Sequence, residues 1–191
     1  MALEIGMAFL VIVILLAFTF YLLSLRATLI RMRNEAARAL SNLEAQIKQR
    51  NDLIPTLIET CRGYIGSGPG PLQAVAEARN TRGKAKTLAE KAGCEQVMRQ
   101  SLNALFQEVE RHRELKINNN YQKLRGRFAE VGREVDGNRE ALNQAVQRYN
   151  QRISSFPGSL IASWLSLTPE SRFDLPEAEG PQAREPQGGP R

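Results

Sequence analysis

The sequence predicts an all-α protein, an antiparallel helical bundle of the four-helix type preceded by a single N-terminal transmembrane helix. An uncharged apolar run opens the chain, apolar residues recur at helical spacing through most of the rest, and no alternating strand pattern interrupts them. Because each helix carries one apolar stripe, the stripes must be buried against one another. A bundle, with local coiled-coil packing, is the simplest arrangement that buries them.

The apolar run covers residues 5–25 and reads IGMAFLVIVILLAFTFYLLSL, 21 residues without a charge. At about 1.5 Å per residue, a helix of this length crosses a hydrocarbon layer of about 30 Å. A cleavable signal peptide would need a basic start, a shorter apolar core and an Ala-x-Ala-like cleavage site, and this run has none of them. We therefore predict a transmembrane helix over residues 5–25, after a short external N-terminus of residues 1–4.

Basic residues follow the apolar run, whereas the only charged side chain before it is that of Glu4. The first four are Arg26, Arg31, Arg33 and Arg38. This asymmetry predicts that residues 26 onward are cytoplasmic. The same arginines are candidate contacts with anionic lipid, where each basic residue gains about 1 kcal/mol. The net charge of +6 therefore indicates the lipid bilayer as a partner rather than nucleic acid, since no stacking aromatics are interleaved with the basic residues.

The helices after the membrane follow from apolar spacing. The first continues from the transmembrane helix with apolar residues at steps of three, four and seven, and is predicted to end near Gly63. The segment Gly66–Pro71 reads GSGPGP, which predicts a turn. A second helix is predicted to begin at Leu72, and the weakly periodic stretch between Gly83 and Gly93 predicts a broken or frayed helix.

Two further helices are predicted with clearer boundaries. Periodicity from Met98 to Val109 indicates a third helix, and a long fourth one begins after the cap candidates at 118–120. Its apolar stripe extends from Tyr121 to Phe156, where Pro157 and Gly158 stop it. Beyond these, SLIASWLSLTP predicts a short final helix.

The apolar side chains of the final helix, Trp164 among them, need either a bundle groove or the bilayer interface to cover them. The bundle is thus predicted over residues 26–173. The Pro-rich and Gly-rich residues 174–191 are predicted to be disordered.

Polar residues interrupt the apolar seam of the first helix. Arg50 and Asn51 stand where apolar residues are expected, and Asn138 does the same in the last long helix. We predict a paired polar layer across the bundle, with a ligand-binding layer as the functional alternative. Asp52 adjoins the layer, and Pro55 removes the amide that would bond to the carbonyl of Asn51, which predicts a kink.

The sequence offers little for catalysis. Cys61 and Cys94 form no CxxC pattern, and the single histidine, His112, stands among charged residues. Acidic pairs at helical spacing, such as Asp136 and Glu140, occur on most exposed helix faces. Phosphate-binding, zinc-binding and EF-hand motifs are absent. We expect no catalytic, cofactor-binding or metal-binding residues, and we expect that the protein is not an enzyme.

Several longer motifs carry a family resemblance. The stretches QIKQRNDLIPTLIETCRGYIG, ELKINNNYQKL and RYNQRISSFPGSLIA resemble the LemA family in order and spacing over residues 40–165. The resemblance implies an antiparallel helical bundle held to the bacterial inner membrane by one N-terminal helix, in a family without an established enzymatic activity. The matched positions include Arg50, Asp52, Leu53, Ile54, Pro55, Gly63, Tyr64, Leu115, Lys116, Asn118, Tyr149, Asn150, Phe156 and Pro157.

Together these observations predict a single-pass, non-enzymatic scaffold or interaction module at the cytoplasmic face of the bacterial inner membrane. The alternative is a direct lipid-binding or membrane-remodelling protein that uses the four arginines and Trp164. The protein partners are not identified by the sequence. A homo-oligomer, and a binding role for the loop at Gly66–Pro71, are left open.

Overall fold

The computed structural model describes residues 2–65 and 70–175. These residues form six helices and no strand: α1 Ala2–Arg62, α2 Pro71–Arg82, α3 Leu88–Val109, α4 Arg113–Lys116, α5 Asn119–Ser154 and α6 Gly158–Trp164. The predicted all-α bundle is confirmed. Most of the predicted loop, residues 66–69, and most of the predicted disordered tail, residues 176–191, lie outside the described residues.

α1 is a single helix of 61 residues that joins the apolar run to the bundle. It continues through Pro55 and ends at Arg62, which confirms the predicted end near Gly63. In its first part large apolar side chains such as Phe9, Leu16 and Phe20 are exposed. Among the helices described, α1 is the one that is long and apolar enough to cross a membrane.

α1 and α5 form the antiparallel centre of the bundle. Three apolar clusters lie along the pair. The first contains Ile54, Leu57 and Cys61 of α1 with Tyr121, Leu124 and Phe128 of α5. The second contains Ala36, Leu43 and Ile47 with Val131, Val135, Leu142, Ala145 and Val146. The third contains Leu25 and Leu29 with Tyr149 and Ile153. The end of the bundle at the third cluster, next to the apolar run, is its proximal end, and the opposite end is its distal end.

The hairpin of α2 and α3 covers the distal part of the pair, with Leu72, Val75, Met98 and Leu105 in the first cluster. The predicted break between Gly83 and Gly93 is present but shorter than predicted: α2 ends at Arg82 and α3 begins at Leu88, so Gly93 lies inside α3. Thr87 begins α3 with a capping box, in which its hydroxyl accepts a hydrogen bond from the Glu90 amide. The Glu90 carboxylate accepts amide hydrogen bonds from Lys86 and Thr87, which lower its pKa.

α5 begins where the sequence predicts. The side chain of Asn118 caps it by accepting hydrogen bonds from the Asn120 and Tyr121 amides at 2.9 and 3.2 Å. The helix ends at Ser154, before the predicted Phe156, whose side chain is exposed rather than part of the buried stripe. A residue that precedes proline is disfavoured in helical conformation, so Phe156 lies outside the helix.

Residues 167–175, which we call the strap, return along α5 after α6. The Asn150 side-chain amide donates to the Glu170 carbonyl at 2.8 Å, and its oxygen accepts from the Glu170 amide at 2.9 Å. Three residues later in the strap, the Phe173 amide donates to the Asn143 side-chain oxygen at 2.8 Å. Phe173 is buried in the second cluster, and Leu175 also packs there, so these contacts extend past the predicted boundary at residue 173.

Candidate functional site

A buried ion pair connects α1 to α3. Arg50 is 4% exposed and Glu95 is 1% exposed. The Arg50 guanidinium donates to both carboxylate oxygens of Glu95, and its Nη2 lies 2.8 Å from Oε2. Arg82 of α2 lies beside the pair, with its Nη1 at 3.8 Å from the same Oε2. Three helices are therefore tied together by charge in the interior.

Burial shapes the electrostatics of this cluster. It lowers the pKa of Arg82, and the Glu95 carboxylate acts in the opposite direction. Two guanidinium groups share one carboxylate, so removal of Glu95 would leave uncompensated positive charge inside the bundle. The Nε of Arg50 and the side-chain oxygens of Gln46 and Asn51 are buried without hydrogen-bond partners among the residues described.

The structure does not pair the polar residues of α1 with Asn138 of α5, although the sequence analysis predicted this pairing. Asn138 does not pair across the bundle, because its side-chain amide donates to the Glu134 carbonyl one turn earlier in the same helix. Asp52 and Pro55 are exposed, and Asn51 is half-buried. Arg50 pairs with Glu95 of α3 and with no side chain of α5, so among the described residues the charged layer joins α1 to the α2–α3 hairpin.

Two members of the cluster, Glu95 and Arg82, were missed by the sequence analysis. A signal for Glu95 does exist. It stands at helical spacing between the buried residues Ala92 and Met98, so that a carboxylate interrupts an apolar stripe just as Arg50 does. Opposite charges inside two facing stripes are the pattern that would have predicted the pair.

The second candidate site is the surface at the proximal end. Ile161 and Ala162 of α6 are buried against the third cluster. On the opposite side three large apolar side chains are exposed. They are Phe156 at 79%, Leu160 at 64% and Trp164 at 77%. Leu160 and Trp164 are four residues apart on α6 and therefore share one face of that helix, and Phe156 is exposed just before α6. We call these three side chains the outer stripe. Phe156 is its unpredicted member.

Exposed arginines surround the same end. Arg26, Arg31 and Arg38 of α1 are exposed, and Arg33 donates to the Glu170 carboxylate of the strap at 3.3 Å. The antiparallel course of α5 adds two more exposed arginines beside them. We call the whole set the basic collar: Arg26, Arg31, Arg33, Arg38, Arg148 and Arg152.

A comparison with protein-family models matches residues 39–187 to the LemA family, which is more than half of the chain. The chain belongs to the LemA family. The LemA match extends from the middle of α1 past the strap and includes both the buried ion pair and α6. The apolar run lies ahead of it. A search of the curated proteins finds no match to the chain.

The LemA bundle also contains a cleft of about 270 Å³ between α3 and α5. Arg50, Arg99 and Arg125 line it, but each is paired within the chain. Arg99 pairs with Asp136, and Arg125 donates to Glu110 at 2.7 Å. Because these charges are already matched, the cleft lends no weight to the ligand-binding alternative for the polar layer.

Cys61 of the LemA bundle is buried, and His112 lies at its surface. Burial raises the pKa of the Cys61 thiol to about 11, and a protonated thiol is a poor nucleophile. His112 is partly exposed and lies 3.5 Å from Glu108, one turn away on the surface. Within residues 2–65 and 70–175, no three His, Cys, Asp or Glu side chains are grouped so that they could hold a metal ion.

Proposed function

We propose that this LemA-family protein is a non-enzymatic scaffold or interaction module that α1 anchors at the cytoplasmic face of the bacterial inner membrane. The observation that carries the proposal is the continuity of α1. Its first part exposes apolar side chains, and the same helix then forms the centre of the bundle. A continuous helix holds the bundle close to the bilayer at a defined height, as a scaffold requires.

The interior of the bundle supports a non-enzymatic role. Its charged groups bind one another, as in the Arg50–Glu95 pair, and its buried thiol at Cys61 is protonated. The surface, in contrast, has exposed apolar side chains at Val97 of α3 and at Ile117, which directly follows α4. Isolated exposed apolar side chains are common, but they are also suitable positions at which to detect a partner.

Photo-crosslinking of the full chain in native membranes tests this function. A photoreactive residue would replace Val97 or Ile117 in separate variants, with a buried position, Val135, as the matched control. We expect a specific protein to be captured from an exposed position and not from Val135. Capture of no protein from either exposed position, in variants that remain folded and in the membrane fraction, would contradict the scaffold proposal.

A second candidate function is direct binding or remodelling of the lipid surface. The basic collar favours it, because α1 and α5 together contribute six arginines at the proximal end. Glu170 is paired with one of them and Glu35 lies on the same part of α1, so the collar remains strongly positive. Each basic residue near an anionic leaflet gains about 1 kcal/mol, and salt weakens this attraction.

Charge reversal at the collar tests the lipid function. The full chain, purified in detergent, would be titrated with anionic vesicles, comparing wild type with a triple Arg31→Glu, Arg38→Glu, Arg152→Glu variant. Lys48→Glu, Lys123→Glu and Arg127→Glu, all exposed and away from the collar, supply the matched control. We expect the collar variant to bind about tenfold or more weakly and the control to bind nearly as wild type. Equal binding by the two variants would contradict this function.

A further inference from the structure

We propose that α6 is a second membrane contact, in which the outer stripe inserts into the interfacial layer of the bilayer that α1 crosses. The bundle would then be held at two points. This inference rests on the proposed placement of α1 in the membrane. It goes beyond that placement because it names the surface that meets the lipid and the orientation that results.

α6 lies beside the end of the apolar run of α1. Ile161 and Ala162 pack on Leu25 and Leu29, and Leu22 borders the same cluster. Leu22 and Leu25 are among the last residues of the apolar run, so α6 lies where α1 leaves the hydrocarbon. The interfacial layer on each side is about 5–7 Å thick, close to the rise of one helical turn. Side chains that project from α6 therefore begin within this layer.

The outer stripe consists of large apolar side chains that include a tryptophan. Leu160 and Trp164 project from the exposed face of α6, and Phe156 is exposed just before this helix. Exposed apolar patches mark interaction surfaces. Tryptophan is enriched at membrane interfaces, where its ring is buried and its indole N–H remains near water. Arg26 and Arg152 are exposed at the same height, next to Leu25 and Ile153 of the third cluster. An apolar face bordered by arginines is the pattern of a helix that lies in the plane of a membrane.

α6 is rigidly attached at both of its ends. A Cβ atom at Gly158 would lie 2.1 Å from the Arg152 carbonyl oxygen, so only glycine allows α6 to begin so close to the end of α5. On the other side the strap leads directly from α6 to the hydrogen bonds of Asn150. α6 is thus held in a fixed direction, and the outer stripe is already formed for contact with lipid.

The bilayer is preferred over a protein as the occupant because α6 lies at the height of Leu22 and Leu25, the last part of the apolar run. Tyr21 of α1, also exposed, lies one turn before Leu25 and adds an aromatic ring at the same height. A protein partner at this position would have to displace lipid that is already there. The occupant to be tested is therefore the phospholipid interface itself.

Trp164 is the single tryptophan of the chain, so its fluorescence reports on the outer stripe alone. The full chain would be reconstituted into phospholipid vesicles that contain lipids brominated near the headgroup end or near the middle of the acyl chain. We expect quenching of Trp164 by both lipids and stronger quenching by the headgroup-end bromines. Aqueous iodide should quench weakly. The matched control is Trp164→Phe combined with Ile117→Trp, which moves the probe to the distal end and should abolish quenching by lipid.

A second variant tests the stripe without moving the probe. Leu160→Asp should reduce bromolipid quenching of Trp164 at least twofold, whereas Ile117→Asp, an equivalent change at the distal end, should leave it unchanged. An unquenched Trp164 in a wild-type protein that resists carbonate extraction would overturn the inference and leave the anchor by α1 intact. Release of the protein by carbonate would overturn both the anchor and the inference that rests on it.

Discussion

Glu95 is a buried carboxylate on which the burial of two arginines depends. Its two oxygens accept hydrogen bonds from Arg50, and Arg82 lies at 3.8 Å, so the carboxylate balances two buried cations. A buried ion pair contributes little relative to a well-packed apolar pair, but removal of one partner is costly because the other charge remains in the interior.

Replacement of Glu95 by glutamine should lower the free energy of unfolding by about 3–5 kcal/mol, because Arg50 and Arg82 lose their counter-charge. The measurement is chemical denaturation of the full chain in micelles, followed by circular dichroism. The matched control is Asp136→Asn in the partly exposed pair with Arg99, for which we expect less than about 1 kcal/mol. Equal losses in the two variants would show that the buried pair has no special role.

The Cys61 thiol makes stability depend on alkaline pH. Its pKa is raised from 9.0 to about 11 by burial, so the unfolded chain releases this proton first as the pH rises. The contribution of the buried thiol to the free energy of unfolding is fully present below pH 9. About 2–3 kcal/mol of this free energy is lost as the pH rises from 9 to 11. Urea denaturation across this range should show a smaller loss for Cys61→Ala than for wild type. Cys94→Ala retains Cys61 and should keep the full loss, whereas parallel curves for all three proteins would refute the assignment.

At the scale of the elements, the strap depends on two asparagines seven residues apart on α5. Seven helical residues advance about 10.5 Å, which is close to the length of three extended residues, so Asn150 and Asn143 meet the backbone at Glu170 and Phe173. Tyr149 adds a hydrogen bond from its hydroxyl to the Thr168 carbonyl at 3.2 Å. Hydrogen bonds to the backbone thus hold an otherwise irregular segment.

The paired change Asn143→Ala and Asn150→Ala should free the strap while the helices remain folded. We expect faster amide hydrogen exchange confined to residues 168–175, because the Glu170 and Phe173 amides lose their acceptors and the segment is released from α5. Asn138→Ala is the control, since its side chain bonds only within α5. Unchanged exchange in the strap of the paired variant, or an equal increase in the control, would contradict a specific role of the two asparagines.

The junction of α5 and α6 depends on Gly158, whose Cβ position is occupied by the Arg152 carbonyl oxygen. Gly158→Ala should therefore displace α6 and lower the melting temperature. Gly126→Ala is the matched control, because a Cβ there meets nothing within 4 Å and alanine is favoured in helices by about 0.5–1 kcal/mol. We expect the melting temperature to fall in Gly158→Ala and to rise in Gly126→Ala. An unchanged melting temperature of Gly158→Ala would contradict the close approach of Gly158 to Arg152.

At the scale of the whole molecule, the bundle has a core of its own that does not depend on the apolar run. Two of the three apolar clusters contain no residue before Ala36. The third loses only Leu22 and Leu25 when the apolar run is removed. The apolar run and the first helix of the bundle are thus one continuous helix, but the core of the bundle is built almost entirely from later residues.

A fragment of residues 26–175 should fold with high helix content and melt cooperatively, as circular dichroism would show. A shorter fragment of residues 36–175 also lacks Leu29, which is fully buried, and should melt at a lower temperature. A gradual, non-cooperative melt of the longer fragment would mean that the bundle requires the apolar run.

The sequence by itself determined the longest helices, the apolar run, a cap within residues 118–120 and membership of the LemA family, because these depend on spacing and motifs along the chain. It also singled out Arg50 and Trp164. It did not predict α4 or the start of α3 at Leu88. Only the tertiary structure decided that Arg50 pairs with Glu95, 45 residues away, and that Phe156 joins Trp164 on the outer stripe. These contacts depend on the register of the antiparallel helices and on the direction in which α6 leaves α5, and periodicity within one helix specifies neither.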